Sequence, residues 1–195
     1  MENKILFTSE SVAEGHPDKL CDKIADSILD AALSNDSDSR VACEVFATGN
    51  TIVIGGEITT KAKIDYDKIV KNVLKDIGYS IPELGTDYHT VKIINMVKEQ
   101  SPDISMGIKK DSPEHQGAGD QGIMFGYATK ETEGYMPLPI SIAHKLVRVA
   151  SNLRKEGKFK GARPDMKSQV TIDYTDANNI KIDTILMSCS HNLIS

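Results

Sequence analysis

Apolar and polar positions alternate along the chain with two different periods, and these periods predict an alternation of helices and strands. A short apolar run at residues 5–7 predicts a strand. Apolar residues at helical spacing follow Pro17, and proline suits the first turn of a helix because its missing N–H needs no partner there. Alternating apolar residues on both sides of Gly49-Asn50 predict a hairpin, residues 65–78 a second, capped helix, and residues 91–97 a further strand. The predicted order is β-α-β-β-α-β, a split βαβ unit.

The pattern begins again beyond a polar stretch that contains prolines and glycines. Residues 123–128 predict a strand, and the apolar spacing over residues 143–153 predicts a helix. Alternation over residues 170–174 and again over 180–186 predicts two strands joined by a turn. This second unit has the order β-α-β-β, so we expect it to stop before the helix and strand that would complete it.

Three segments are therefore expected along the chain. A first β-α-β-β-α-β unit is predicted over residues 1–100, a linker that includes a mobile loop over residues 101–122, and a second, truncated unit over residues 123–195. Because both units combine helices with antiparallel hairpins, the expected fold class is α+β.

The composition is that of an ordinary soluble globular protein, with 39% hydrophobic and 26% charged residues. The net charge of −5 argues against a nucleic-acid partner and against attraction to an anionic membrane. No apolar run is long enough for a signal peptide or a membrane span. The three cysteines match no metal-binding spacing, so we expect reduced thiols and a cytoplasmic location.

His16 and Asp18 flank the proline at the start of the first predicted helix. Free N–H groups and a partial positive charge make that end attractive to anions. One interpretation is simple capping of the helix. The other is a phosphate site, in which a cation such as Mg²⁺ separates the carboxylate from the phosphate.

Two carboxylates are predicted to share one face of the hairpin. With Gly49-Asn50 at the turn, Ala42 lies opposite Glu57 and Glu44 opposite Gly55. Glu44 and Glu57 are then diagonal neighbours, roughly 7–8 Å apart, on the face that does not carry the apolar residues. Such a pair either faces water or holds cations.

Two further patterns allow more than one interpretation. Residues 117–122 fit G-x-G-x-x-G, but a strand is predicted after them rather than before, so a dinucleotide site of the Rossmann type is rejected. These glycines instead allow backbone to approach a ligand closely. A basic stretch over residues 154–167 indicates either a solvated loop or a polyphosphate site.

Several of these segments also match, in order, the motifs of one enzyme family. The matching segments are Phe7–Ser11 with Glu14–Lys19, Gly55–Thr60, Gln100–Ile104, Gly117–Tyr127 and Arg163–Val170. Together they resemble the methionine adenosyltransferase (S-adenosylmethionine synthetase) family over nearly the whole chain. The resemblance implies the α+β fold of that family, and a reaction in which methionine sulfur attacks ATP and releases pyrophosphate and phosphate.

The resemblance also implies a role for each matching residue. The implied assignments are His16 and Lys167 for catalysis; His16, Asp120, Asp165 and Lys167 for ATP; Glu57 and Gln100 for methionine; Asp18 for Mg²⁺; and Glu44 for K⁺. A homodimer or homotetramer is implied for the full-length protein, because the family's site lies between subunits.

Members of the family are longer, and their second glycine-rich motif is absent from this sequence. We therefore expect the chain to be an incomplete half of the enzyme and to be inactive alone. The alternatives are a natural short paralogue that acts as a ligand-binding or regulatory subunit, and an inactive protein that pairs with a full-length subunit.

Overall fold

A computed structural model describes residues 4–81, 85–99 and 121–192. Within these residues the helices and strands follow one another in the order β1 Leu6–Val12, α1 Pro17–Leu33, β2 Arg40–Thr48, β3 Thr51–Thr59, α2 Tyr66–Ile77, β4 Lys92–Asn95, α3 Leu138–Lys155, β5 Ala162–Asp173 and β6 Lys181–His191. The predicted α+β class is confirmed. No helix in the described ranges is both long enough and apolar enough to span a bilayer.

α1 begins, and α2 both begins and ends, where the sequence predicts. Pro17 occupies the first turn of α1. Asp65 caps α2 by accepting a hydrogen bond from the Lys68 N–H at 3.0 Å. Gly78 ends α2 in the left-handed conformation with φ of 102°, where glycine is free of the steric cost that a Cβ would bring. Local chemistry therefore decides both helix boundaries.

The β2–β3 hairpin has the predicted register. Ala42 lies opposite Glu57 and Glu44 opposite Gly55, with no bulge between them. Gly56 has φ of 107°, and a Cβ there would lie 2.0 Å from the Ala42 carbonyl oxygen. Only glycine fits such a close approach, and it keeps the strand regular next to Glu57.

The strands form two sheets, ordered β2-β3-β4 and β1-β5-β6. The prediction that β1 belongs with the strands of its own unit is therefore wrong, because β1 pairs antiparallel with β5 along its whole length. The end of β1 packs against α3 through small residues, of which Ser11 is 5% and Ala13 3% exposed. A bulkier strand end would not fit there, since interiors are close-packed.

The prediction of a strand over residues 123–128 is also wrong, because those residues form no regular element. Their apolar side chains are exposed, Phe125 to 91%. Alternation alone does not make a strand, since a strand also needs partners for its backbone groups, and in the described ranges this segment pairs with no strand. The helix and the two later strands of this unit are confirmed as α3, β5 and β6.

In the described ranges, helices cover one face of each sheet. α1 and α2 cover the β2-β3-β4 sheet, around a core that includes Ile24, Ile28, Ile54 and Leu74. α3 covers the β1-β5-β6 sheet through Ala143, Val147 and Ala150. The opposite face of the first sheet exposes Phe46 to 63%. Four predicted site residues lie on described strands, and all four lie on the faces opposite these helices: Glu44, Glu57, Asp165 and Lys167.

Candidate active site

His16 forms the N-cap of α1 and carries a side chain that is only 18% exposed. Its Nδ1 accepts a hydrogen bond from the Asp18 N–H at 3.2 Å. In the neutral ring, an accepting Nδ1 leaves the single proton on Nε2. The cap therefore orients the imidazole and keeps one donor available for an anion, so capping and anion binding are compatible roles.

Asp18 contributes a carboxylate that is 86% exposed and 3.7 Å from the His16 Nδ1. It belongs to the first turn of α1, where negative charge is stabilised by the helix dipole. An exposed carboxylate beside a proton donor suits a site in which a cation and a phosphate group bind together.

Three contacts fix the chain before α1, two of them to β5 and one to Tyr79, which follows α2. The Ala13 N–H donates to the Met166 carbonyl at 2.8 Å. Gly15 is buried, and a Cβ on it would lie 2.3 Å from the Pro164 Cβ. The buried Tyr79 hydroxyl donates to the Gly15 carbonyl. These contacts fix the position of the helix start relative to β5.

Asp165 and Lys167 lie on β5 beside this fastened segment. Strand alternation places both on the face away from α3, and Val12 is the direct partner of Lys167 in β1. Asp165 also lies close enough to Tyr79 to act on it. Burial first, and then the negative charge of Asp165, raise the pKa of Tyr79 to about 12. The structure thus brings together four of the predicted site residues: His16, Asp18, Asp165 and Lys167.

Glu44 and Glu57 lie elsewhere, on the face of the β2-β3-β4 sheet that α1 and α2 do not cover. Glu44 is exposed and Glu57 half-buried, and the hairpin register makes them diagonal neighbours, as predicted. The Ile58 N–H donates to the Lys98 carbonyl at 2.8 Å, which ties the end of β3 to the chain beyond β4. Within one chain, the two carboxylates form a separate surface from the helix start.

Other predicted residues lie outside the described ranges, namely Gln100, Asp120, the predicted mobile loop and most of the glycine motif. Within the described ranges, no group of three or more histidine, cysteine, aspartate or glutamate side chains is arranged to hold a metal.

Two family models match the chain. Residues 4–102 match the S-adenosylmethionine synthetase N-terminal domain, and residues 115–194 match the central domain of the same family. The chain belongs to the S-adenosylmethionine synthetase family. The boundary between the two matches falls within the predicted linker.

Curated relatives of this S-adenosylmethionine synthetase family agree with the match. The chain is 62% identical to the S-adenosylmethionine synthase of Mesoplasma florum over 96% of its length. It is 58% identical to that of Mycoplasma capricolum over 97% and 48% identical to that of Treponema denticola over 98%. These alignments cover 49% to 50% of the relatives, so the chain spans about half the length of the curated relatives it matches.

In this S-adenosylmethionine synthetase chain the basic stretch is not one solvated loop. Arg154 and Lys155 end α3 and bind Glu14 at 3.0 and 2.8 Å, and Arg154 Nη2 also donates to the Ile77 carbonyl. Lys167 belongs to β5. Arg154 and Lys155 therefore help to hold α3, α2 and the start of α1 together, whereas Lys167 is exposed on β5.

Sequence reasoning missed three residues that build the site: Gly15, Tyr79 and Arg154. Gly15 belongs to the matched motif. A glycine directly before a helix cap could have indicated that another segment packs closely against the backbone there. Tyr79 and Arg154 act through partners 64 and 140 residues away, and no local pattern reveals such pairings.

Substitution of Gly15 by alanine is expected to lower the free energy of unfolding by about 1–3 kcal/mol, the usual cost of overpacking. The added Cβ would collide with Pro164 backbone at 2.5 and 2.7 Å as well as with its side chain, so the helix start must move away from β5. Urea denaturation followed by circular dichroism measures the change. Gly134→Ala is the matched control, because a Cβ there meets nothing within 4 Å; equal stability of the two variants would contradict the tight approach.

Proposed function

We propose that this chain is the N-terminal and central part of a cytoplasmic methionine adenosyltransferase, with an active-site linker at residues 101–122. The enzyme joins methionine to ATP and releases pyrophosphate and phosphate. One observation carries the proposal: the capped start of α1, with His16 and Asp18, is fastened against the strand that bears Asp165 and Lys167.

The reaction places specific demands on such a site. A neutral thioether is a modest nucleophile, so the sulfur must be held in line with the ribose carbon that it attacks. The triphosphate that leaves is strongly anionic and needs donors already in place. The Nε2–H of His16 and the exposed ammonium group of Lys167 supply a hydrogen-bond donor and a positive charge, and we assign both to the phosphate chain.

The predicted cations fit the residues present. Mg²⁺ commonly binds through one or two carboxylates and completes its shell with water and substrate phosphates, so a single exposed carboxylate at Asp18 suffices. We assign Mg²⁺ to Asp18 and K⁺ to Glu44, while Asp120 and Asp165 help to hold ATP. When bound, the metal ions neutralise part of the phosphate charge.

Methionine is assigned to Glu57, whose carboxylate would pair with the substrate ammonium group, and to Gln100. Glu57 and His16 lie on different surfaces of one chain, yet the reaction needs both substrates in contact. A second copy of the protein that presents its Glu57 surface to the helix start resolves this conflict. The proposed assembly is therefore at least a homodimer, and a homotetramer is consistent with the same contact.

Substitution of Glu57 by glutamine in the full-length enzyme is expected to raise the KM for methionine about tenfold or more. Loss of a charge-assisted hydrogen bond has this magnitude, and the KM for ATP should change little. Steady-state kinetics with each substrate varied in turn measures both values. Glu44→Gln is the matched control on the same face, and it should alter activation by K⁺ but not the KM for methionine. Equal effects of Glu57→Gln on both substrates would contradict the assignment.

Formation of S-adenosylmethionine by the full-length protein, from ATP and methionine with Mg²⁺ and K⁺, tests the function itself. The expected products are S-adenosylmethionine, pyrophosphate and phosphate. Binding of ATP without turnover would instead support the regulatory paralogue.

A further inference from the structure

A cleft of about 560 Å³ opens between the end of β1, the start of α1 and one side of α3. It lies on the helix-covered side of the β1-β5-β6 sheet. Ser11, which lines it, shares that side with its strand partner Ser168, whose hydroxyl donates to the Ala143 carbonyl of α3. Lys167, the residue before Ser168 on β5, lies on the other face. His16, Asp18, Asp165 and Lys167 do not line the cleft, although the cleft and the candidate active site both border the start of α1.

The cleft carries an excess of positive charge. Lys19, Lys145 and Arg148 line it, and in the part of the chain that the structure describes none of them forms an ion pair. Among the described lining residues only Glu14 bears a carboxylate, and both of its oxygens are engaged by Arg154 and Lys155. Three uncompensated cations around one concave surface raise the local concentration of anions.

A buried serine and a histidine complete the polar lining. The Ser11 hydroxyl, on a residue 5% exposed, lies 2.7 Å from the His144 Nδ1. Burial, followed by the charges of Lys19 and Arg148, lowers the pKa of His144, so the ring is neutral at neutral pH. When the serine donates to Nδ1, the ring proton lies on Nε2.

Ser11 and His144 do not form a catalytic pair of a nucleophilic serine and a general base. Such a pair needs a carboxylate that orients the imidazole and stabilises its charged form. The charged groups that act on His144 are Lys19 and Arg148, which disfavour the charged form, and Glu14 is already bound to two cations. A bound anion would reverse this effect and stabilise the imidazolium, so the surroundings suit anion binding rather than catalysis.

We propose that this cleft is a binding site for a phosphate dianion, either inorganic phosphate or the phosphate group of a small organic monoester. Two lysines and an arginine match its double charge, and the planar guanidinium of Arg148 binds two phosphate oxygens at once. A cleft of this size falls in the range of small-molecule sites and leaves room for an organic part. The site is separate from the proposed ATP site.

Titration of the full-length protein with inorganic phosphate, and separately with glycerol 3-phosphate, tests the proposal. The reporter is the His144 ring signal in NMR, assigned with His144→Gln, because phosphate at the candidate active site does not contact this ring. The expected result is a saturable shift of the signal and a rise in the pKa of His144. Preference for glycerol 3-phosphate identifies an organic ligand, and equal affinity identifies free phosphate; both support the site.

The double variant Lys145→Gln, Arg148→Gln should weaken binding at the His144 reporter about tenfold or more. Both side chains are exposed, so the fold should persist, and S-adenosylmethionine formation should be unchanged. Lys158→Gln, Lys160→Gln is the charge-matched control, since both lysines are exposed and neither lines the cleft. An unmoved His144 signal at saturating phosphate, or equal affinity in the double variant and the control, would overturn the proposal.

Discussion

Replacement of His16 by alanine in the full-length enzyme is expected to lower kcat by about 10²–10³-fold, while the affinity for ATP changes far less. That is the usual cost of removing one preorganised donor from developing negative charge. His16 suits this role because its Nδ1 is occupied by the Asp18 N–H, which leaves Nε2–H for the triphosphate. Single-turnover kinetics and equilibrium ATP binding give the two quantities.

His16→Asn separates catalysis from capping, because asparagine is among the best helix N-caps. Alanine should cost about 1 kcal/mol of stability and asparagine almost none, yet both should lose the same share of turnover. Restoration of turnover by asparagine would assign His16 to the helix alone.

The 195-residue polypeptide by itself is expected to form no detectable S-adenosylmethionine. The curated relatives are about twice its length, and the cationic groups of the missing family motif would face the triphosphate. Without them the leaving group is poorly neutralised, and each absent donor multiplies the loss in rate.

The same polypeptide should also self-associate, because it exposes much apolar surface. Met124 and Phe125 are 88% and 91% exposed, and Leu186 of β6 is 56% exposed. Patches of this kind mark interfaces. Size-exclusion chromatography and a product assay measure both properties, with the full-length protein as control. Clear turnover by a monodisperse 195-residue chain would show that this half holds a complete site.

Features set by neighbouring residues could be predicted from the sequence. The Gly49-Asn50 turn fixed the register of β2 and β3, and with it the diagonal placement of Glu44 and Glu57. Asp65 and Gly78 defined α2 in the same way. Turn and cap chemistry acts over a few residues, so a single sequence contains the needed information.

Features that depend on distant partners could not be predicted. Nothing near Leu6–Val12 specifies that its partner is β5 rather than β2 or β4, because an alternating strand fits several edges. The segment at 123–128 has the same apolar pattern but pairs with no strand in the described ranges. In the candidate site, the sequence predicts His16 and Asp18 as part of a helix cap. It does not predict the close approach of Gly15 to Pro164, which depends on tertiary packing.

The pairing of β1 has a consequence for the order in which the protein folds during synthesis. The hydroxyls of Thr8 and Thr171 lie 2.9 Å apart in the sheet but are separated by 163 residues. At about 5–20 residues per second, roughly 8–33 seconds pass between their appearances. The β2-β3-β4 sheet and its two helices draw on residues 17–95 alone, so they can assemble within that interval. β1 therefore waits unpaired, and the region matched as the N-terminal domain completes its structure only after β5 has emerged.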